Sequence, residues 1–135
     1  MMAFALNVVS QTILKTLTNG AFISKTGEIF EETPDDNPCA GQEVFLVLEF
    51  KKSKVNITEK FISSCGNESI GYKLEYKWEL TNHNEIKIFY KPEEVKYKLI
   101  DNMKLIIIGD VIRGCKNNLS GKEVEYVFHK PLMKK

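Results

Sequence analysis

The stretch GYKLEYKWEL, residues 71–80, alternates strictly between large apolar and charged side chains. Side chains of a strand point to opposite faces with a period of two, so this stretch predicts a strand with one wet face and one bulky apolar face. The apolar parity carries Tyr72, Leu74, Tyr76, Trp78 and Leu80. Two interpretations are open at this point, because these side chains either fill a core or line a pocket.

Short alternating segments of the same kind recur from residue 20 to the end of the chain. They are residues 21–24, 28–32, 43–51, 55–63, 85–90, 95–99, 103–109 and 123–129. Turn residues separate them, as at Asp101-Asn102, where both residues tolerate the positive φ that a two-residue hairpin requires. With residues 71–80 they make about nine strands at short, regular spacing, which predicts an all-β antiparallel barrel or sandwich.

Residues 1–19 have a different pattern. Leu6, Val9, Ile13 and Leu17 recur at spacings of three and four, which predicts a short helix with one apolar face. The apolar start of the same segment is also compatible with the remnant of an export signal, although no Lys or Arg precedes it. The chain therefore divides into residues 1–19, a helix or signal remnant, and residues 20–135, the β domain.

The composition argues against several classes of function. A net charge of +1, from 19 Lys+Arg and 18 Asp+Glu, gives no global attraction to nucleic acid or to an anionic membrane. Arg113 is the only arginine, which disfavours recognition of phosphates through guanidinium groups. No apolar run reaches the roughly 18 residues that cross a bilayer. We therefore expect no nucleic-acid partner and no membrane span.

The order of several short motifs resembles a known family. The motifs are DDNPC at 35–39, FLVLEF at 45–50, SCG at 64–66, YKWEL at 76–80 and EYVFHK at 125–130. In this order they resemble the small lipocalin-like domains of bacterial secreted proteins and lipoproteins, a branch of the calycin-type barrels. Where that family usually carries Gly-x-Trp near the first strand, this chain has Gly20-Ala21-Phe22. The resemblance implies a meander barrel of about 8–9 strands, commonly exported and without established catalytic activity.

The chain has three cysteines. Cys39 and Cys65 lie in loops that flank a pair of predicted strands, so their Cα atoms could approach within the roughly 4.4–6.8 Å of a disulfide. The resemblance favours this pairing, which leaves Cys115 unpaired. The alternative is three free thiols in a reducing compartment, where disulfides are rare. The bridge predicts a secreted or periplasmic protein, and free thiols predict a cytoplasmic one.

The sequence offers no convincing constellation for catalysis or for metal binding. The chain has only two histidines, His83 and His129, and no two cysteines have the spacing of metal ligands. A Cys–His nucleophilic pair would lack an identifiable third group to orient it. We therefore expect a protein that is not an enzyme and that carries neither a cofactor nor a metal.

Large polar aromatics supply the main functional hypothesis. Tyr76, Trp78, Tyr97 and Tyr126 lie on the apolar parity of their predicted strands, as do Tyr72 and Tyr90. Buried tyrosines and tryptophans need partners for their polar tips, and a barrel of about eight strands either packs solid or holds one small ligand. The sequence favours a binding domain for an apolar or amphipathic ligand lined by the first four residues. Core packing with the hydroxyls at the rims is the competing interpretation.

A second hypothesis makes the protein an interaction module, such as an inhibitor or immunity protein that blocks a single partner protein. Compact β proteins with acidic loops suit this role. The contact would be the acidic segment that contains Glu31, Glu32, Asp35 and Asp36.

Overall fold

The computed structural model describes residues 8–29, 41–81, 84–117 and 120–131. In the first helix the side chains are described from residue 13 onward. Within these ranges the elements follow one another along the chain with short connections. They are α1 (Val8–Leu17), β1 (Ala21–Ile29), β2 (Gln42–Phe50), β3 (Lys54–Ser63), β4 (Glu68–Leu80), β5 (Glu85–Ile88), α2 (Pro92–Val95), β6 (Lys104–Ile108), β7 (Val111–Asn117) and β8 (Glu123–Phe128).

The strands form one eight-stranded sheet whose spatial order is the order of the chain. Every neighbouring pair is antiparallel, and the first and last strands meet at Ile23 and His129. The backbone N–H of each of these two residues donates to the carbonyl of the other, at 2.8 and 3.0 Å. The protein is therefore a nearly closed, eight-stranded meander barrel with a short N-terminal helix, and the predicted all-β antiparallel barrel is confirmed.

The core follows from the alternation along the strands. Leu46, Leu48 and Phe50 on β2 are almost completely buried, and the residues between them lie on the outer face. On β4, Tyr76 and Trp78 face the same interior while the intervening lysines and glutamates face water. Each strand thus contributes every second side chain to one shared core, as expected for a barrel that is packed on its inside.

The two halves of the barrel differ in length. Strands β1–β4 have 9 to 13 residues, whereas β5–β8 have 4 to 7. Strand β4 serves both halves, because it pairs with β3 up to Lys77 and with β5 from Trp78 onward. The long strands project beyond the short ones at one end. We call the projecting residues 25–29, 42–45, 59–63 and 68–72 the extension.

Different elements close the two ends. At the end where β1 begins, Leu17 of α1 is fully buried, with Ile13 and Leu14 packed against the core. At the opposite end lies the connection between β5 and β6, residues 89–103, which we call the cap. Its residues Val95 and Ile100 are almost fully buried, so the cap contributes to the same core.

The predicted strand over residues 95–99 is wrong. Pro92 has the fixed φ that suits the first turn of a helix, and residues 92–95 form the short helix α2. Tyr97 then adopts φ 69°, which lies outside the β region of backbone conformations. Asn102 has the positive φ expected of it, at 63°, but its turn leads out of the cap rather than out of a strand.

Candidate functional site at the barrel mouth

Trp78 lies in the packed core near the α1 end. Its ring meets Phe50 edge-on at 5.0 Å between centroids, and Phe50 meets Phe22 in the same manner at 6.2 Å. The indole N–H donates to the carbonyl of Lys51 at 2.9 Å, so its polar tip has a partner. These surroundings are those of a core side chain, the competing interpretation that the sequence left open.

Tyr97 does not face the interior, and its predicted position there is wrong. Its side chain is 92% exposed, and the ammonium group of Lys96 lies 5.2 Å from the ring centroid. The reason is the local backbone, because the turn after α2 replaces the extended segment that would have pointed Tyr97 inward.

Tyr76 and Tyr126 do take part in the interior. Tyr76 is only 5% exposed, and its hydroxyl donates to a carboxylate oxygen of Glu94 in the cap at 2.8 Å. Tyr126 lies on β8 opposite Gly114 and packs, partly buried, against the core. Tyr76, Trp78 and Tyr126 therefore belong to or pack against one core cluster, and only Tyr97 of the four predicted residues lies apart from it.

A different group of aromatics meets beneath the cap. The ring of Tyr90 lies edge-on to Tyr76, at 5.5 Å between centroids and an interplanar angle of 76°. Tyr72 lies four residues before Tyr76 on the same face of β4, and the ammonium group of Lys98 is 5.1 Å from its ring centroid. We call Tyr72, Tyr76 and Tyr90 the tyrosine cluster. Sequence alternation placed Tyr72 and Tyr90 on the apolar face, but it carried no signal that the cap would gather them.

The hydroxyl of Tyr72 is the unusual atom of the cluster. Its oxygen is enclosed by protein and has no hydrogen-bond partner among the described residues. Buried polar atoms in native proteins are almost always paired with protein or with ordered water. The site therefore has an unused hydrogen-bonding position.

Burial raises the pKa values of all three tyrosines in the cluster. It raises the pKa of Tyr72 to about 12, with a further contribution from the carboxylate of Glu59. Burial also raises the pKa of Tyr76, with the Glu94 hydrogen bond as the next cause, and that of Tyr90, next to Asp101. All three hydroxyls are therefore neutral at physiological pH, and the charge of at least one carboxylate acts on each of them.

The inner face of the extension continues this site outward. Val44 and Phe61 are register partners on β2 and β3, and both are half-buried on the parity of the core. Gly71 lies at a bulge in β4, where a Cβ atom would come within 2.8 Å of the Phe61 ring. The glycine thus lets that ring rest on the strand backbone. We call Val44, Phe61 and the tyrosine cluster the mouth.

Several predicted residues lie outside the described parts of the chain. The acidic residues Glu31, Glu32, Asp35 and Asp36 fall there, as do Cys39 and His83. The partner-binding role of the acidic segment and the Cys39–Cys65 bridge therefore stay predictions. Cys115, which was expected to be the unpaired thiol, is a free and partly buried cysteine on β7.

Within the described ranges, no group of three or more His, Cys, Asp or Glu side chains is arranged to hold a metal ion. Across the same residues, no helix has both the length and the apolar character needed to cross a membrane.

No family model and no curated protein matches the chain. Among solved structures, the crystal structure of lobster apocrustacyanin A1 is similar, with a TM-score of 0.34 and 16% sequence identity. The match covers 89% of this chain and 63% of that chain, so this protein spans less than two thirds of the lobster protein. The assignment of the fold rests on the strand order and the closure described above.

Proposed function

We propose that the protein is a non-enzymatic binding domain that takes one small, neutral, amphipathic ligand at the mouth. The observation that carries the proposal is the enclosed Tyr72 hydroxyl without a partner among the described residues. An unpaired buried polar group costs about 1–3 kcal/mol, so a ligand that pairs with it recovers this free energy on binding. A barrel of lipocalin-like architecture suits ligand binding in general.

The packing of the barrel favours the mouth over the interior as the place of binding. The inward-facing residues between α1 and the cap, Trp78 included, belong to one buried apolar cluster. Val44 and Phe61, in contrast, are only half-buried, and they continue the apolar surface outward from Tyr72. The apolar part of a ligand would lie on these two side chains, with its polar group directed at the Tyr72 hydroxyl.

The charges around the mouth select the kind of polar group. Carboxylates of Glu59, Glu94 and Asp101 each act on one of the three tyrosines. The Lys98 ammonium, 5.1 Å from the Tyr72 ring centroid, offsets only part of this negative charge, so a carboxylate ligand is disfavoured, whereas a hydroxyl or carbonyl can pair with Tyr72 without such a penalty. We therefore infer a ligand such as a flavonol or a long-chain alcohol, rather than a fatty acid.

The test is calorimetric titration with a flavonol, with laurate as the anionic comparison. The wild-type protein should bind the flavonol more tightly than laurate, and Tyr72→Phe should weaken flavonol binding about tenfold. Tyr97→Phe is the matched control, because it removes a hydroxyl from an exposed ring and should leave the affinity unchanged. Equal flavonol affinities for Tyr72→Phe and the wild type would refute the proposal.

A further inference from the structure

We propose a second binding site, on the outer face of the barrel, for a small aromatic anion. The site is a surface cleft of about 220 Å³ that we call the lysine cleft. It is lined by Lys54, Glu75, Tyr76, Lys77, Phe89 and Lys91. It lies on the outer face of the β3–β4 pair, beside the first residues of the cap, and Tyr76 is the one residue that it shares with the mouth.

The charge arrangement of the cleft is unfavourable in the free protein. Lys54 and Lys77 are register partners on antiparallel strands and lie directly opposite each other. Like charges in this position destabilise a sheet. The ion pairs formed by the described residues involve other lysines and Arg113, and Glu75 is the single carboxylate that lines the cleft beside the two lysines. A bound anion between the two ammonium groups would relieve the repulsion.

An exposed aromatic ring gives the cleft an apolar floor. Phe89 is 46% exposed, although its backbone N–H is fixed by donation to the Lys77 carbonyl at 2.9 Å. The ammonium group of Lys87 lies 5.3 Å from the centroid of the ring. With Lys91 at the rim, positive charges surround this ring, and their aliphatic stems extend the apolar surface. The cleft thus combines stacking surface with positive charge.

Size and charge complementarity define the ligand class. The volume is below the roughly 300–1,000 Å³ of pockets for drug-sized molecules, so a single ring or two fused rings fit better than a long chain. A lysine ammonium acts as a point charge. It therefore attracts an anion without the bidentate geometry by which an arginine guanidinium binds a phosphate. Glu75 in the same cleft disfavours a multiply charged anion. A singly charged aromatic carboxylate meets these conditions.

The experiment titrates the full chain with 2-naphthoate at low and at high salt. We expect saturable binding that weakens with salt, and about tenfold weaker binding for the double variant Lys54→Met, Lys77→Met, which keeps the side-chain length. Phe89→Ala should also weaken binding. Lys73→Met is the matched control, because Lys73 lies on the same face of β4 outside the cleft, and it should leave the affinity unchanged.

Three results would overturn the proposal. One is unchanged naphthoate affinity in the double lysine variant, and another is equally weakened binding in Lys73→Met. The third is sedimentation of the protein with vesicles of anionic lipid without any binding of naphthoate, which would make the surface a membrane contact. Because Tyr72 does not line the lysine cleft, Tyr72→Phe should leave naphthoate binding intact even if flavonol binding fails.

Discussion

The hydroxyl of Tyr76 donates a 2.8 Å hydrogen bond to Glu94, which joins the 13-residue strand β4 to the cap. Tyr76 contributes to both proposed sites, since its ring belongs to the tyrosine cluster and its atoms also line the lysine cleft. The position of the cap therefore depends on a side chain that the barrel itself holds in place.

Removal of this hydrogen bond should loosen the cap without unfolding the barrel. Tyr76→Phe keeps the buried ring, and we expect it to lower the free energy of unfolding by about 1 kcal/mol. Amide hydrogen exchange in residues 92–103 should accelerate, while exchange in β2 and β3 stays slow. Urea unfolding of Tyr97→Phe, whose hydroxyl is in water, should match the wild type. Unchanged exchange in the cap of Tyr76→Phe would contradict this role.

The buried tyrosines predict a loss of stability at alkaline pH. A tyrosine of the unfolded chain titrates near pH 10, whereas Tyr72 in the folded protein has a pKa of about 12, and the pKa values of Tyr76 and Tyr90 are also raised. The folded state therefore binds more protons, so its stability is intact below about pH 10 and falls as the pH rises toward about 12. Urea unfolding at a series of pH values measures the slope, which should be smaller in Tyr72→Phe. A flat profile in this window would show that the cluster is not buried.

Gly114 tests how tightly the cap is packed onto the barrel. This buried glycine on β7 faces the core, where a Cβ atom would lie 3.0 Å from the Phe128 ring and 3.1 Å from Cγ of Met103. Gly114→Ala should therefore lower the free energy of unfolding by about 1–3 kcal/mol through overpacking. Gly27→Ala on β1 is the matched control, because no atom lies within 4 Å of its added Cβ. If both variants unfold at the same urea concentration, the cap has room to move.

The architecture was predictable because it depends on a local signal. The alternation along residues 43–51, 55–63 and 71–80 indicates which side chains each strand buries. The core of the structure is built from the side chains on those faces. A meander barrel joins sequential neighbours, so the order of the strands needs no long-range information. The alternating pattern of residues 95–99 was misleading, because Pro92 starts a short helix and Tyr97 adopts a positive φ, so the segment is not extended.

The candidate site was less predictable because it depends on contacts between distant segments. Parity could place Trp78 inside, but only its neighbour Phe50 and its bond to Lys51 show that it fills a core. The tyrosine cluster requires the cap to fold back onto β4, and nothing in the alternation of β4 encodes this. The lysine cleft likewise arises from a pairing register, which brings Lys54 opposite Lys77.

The like-charged pair Lys54–Lys77 predicts a stabilising substitution. Lys54→Gln removes the repulsion across β3 and β4, and we expect the free energy of unfolding to rise by about 0.2–1 kcal/mol. Added salt should raise the stability of the wild type more than that of Lys54→Gln, since salt screens the same repulsion. Lys73→Gln, whose register partner is Thr58, is the control and should change little. Urea unfolding at two salt concentrations measures both effects. A Lys54→Gln variant that is less stable than the wild type would contradict the proposed repulsion between Lys54 and Lys77.

The thiol count decides between the two compartments that the sequence left open. We propose that Cys39 and Cys65 form a disulfide and that the protein is exported, which leaves Cys115 as the unpaired thiol. A Cys39–Cys65 bridge closes a loop of about 26 residues, and it contributes about 3 kcal/mol to the stability in the chain-entropy model. Protein that is isolated oxidised and then denatured without reductant should therefore give one reactive thiol, and it should become less stable when reduced. Cys115→Ser should remove that thiol and keep the sensitivity to reductant, whereas three reactive thiols in the wild type would place the protein in a reducing compartment.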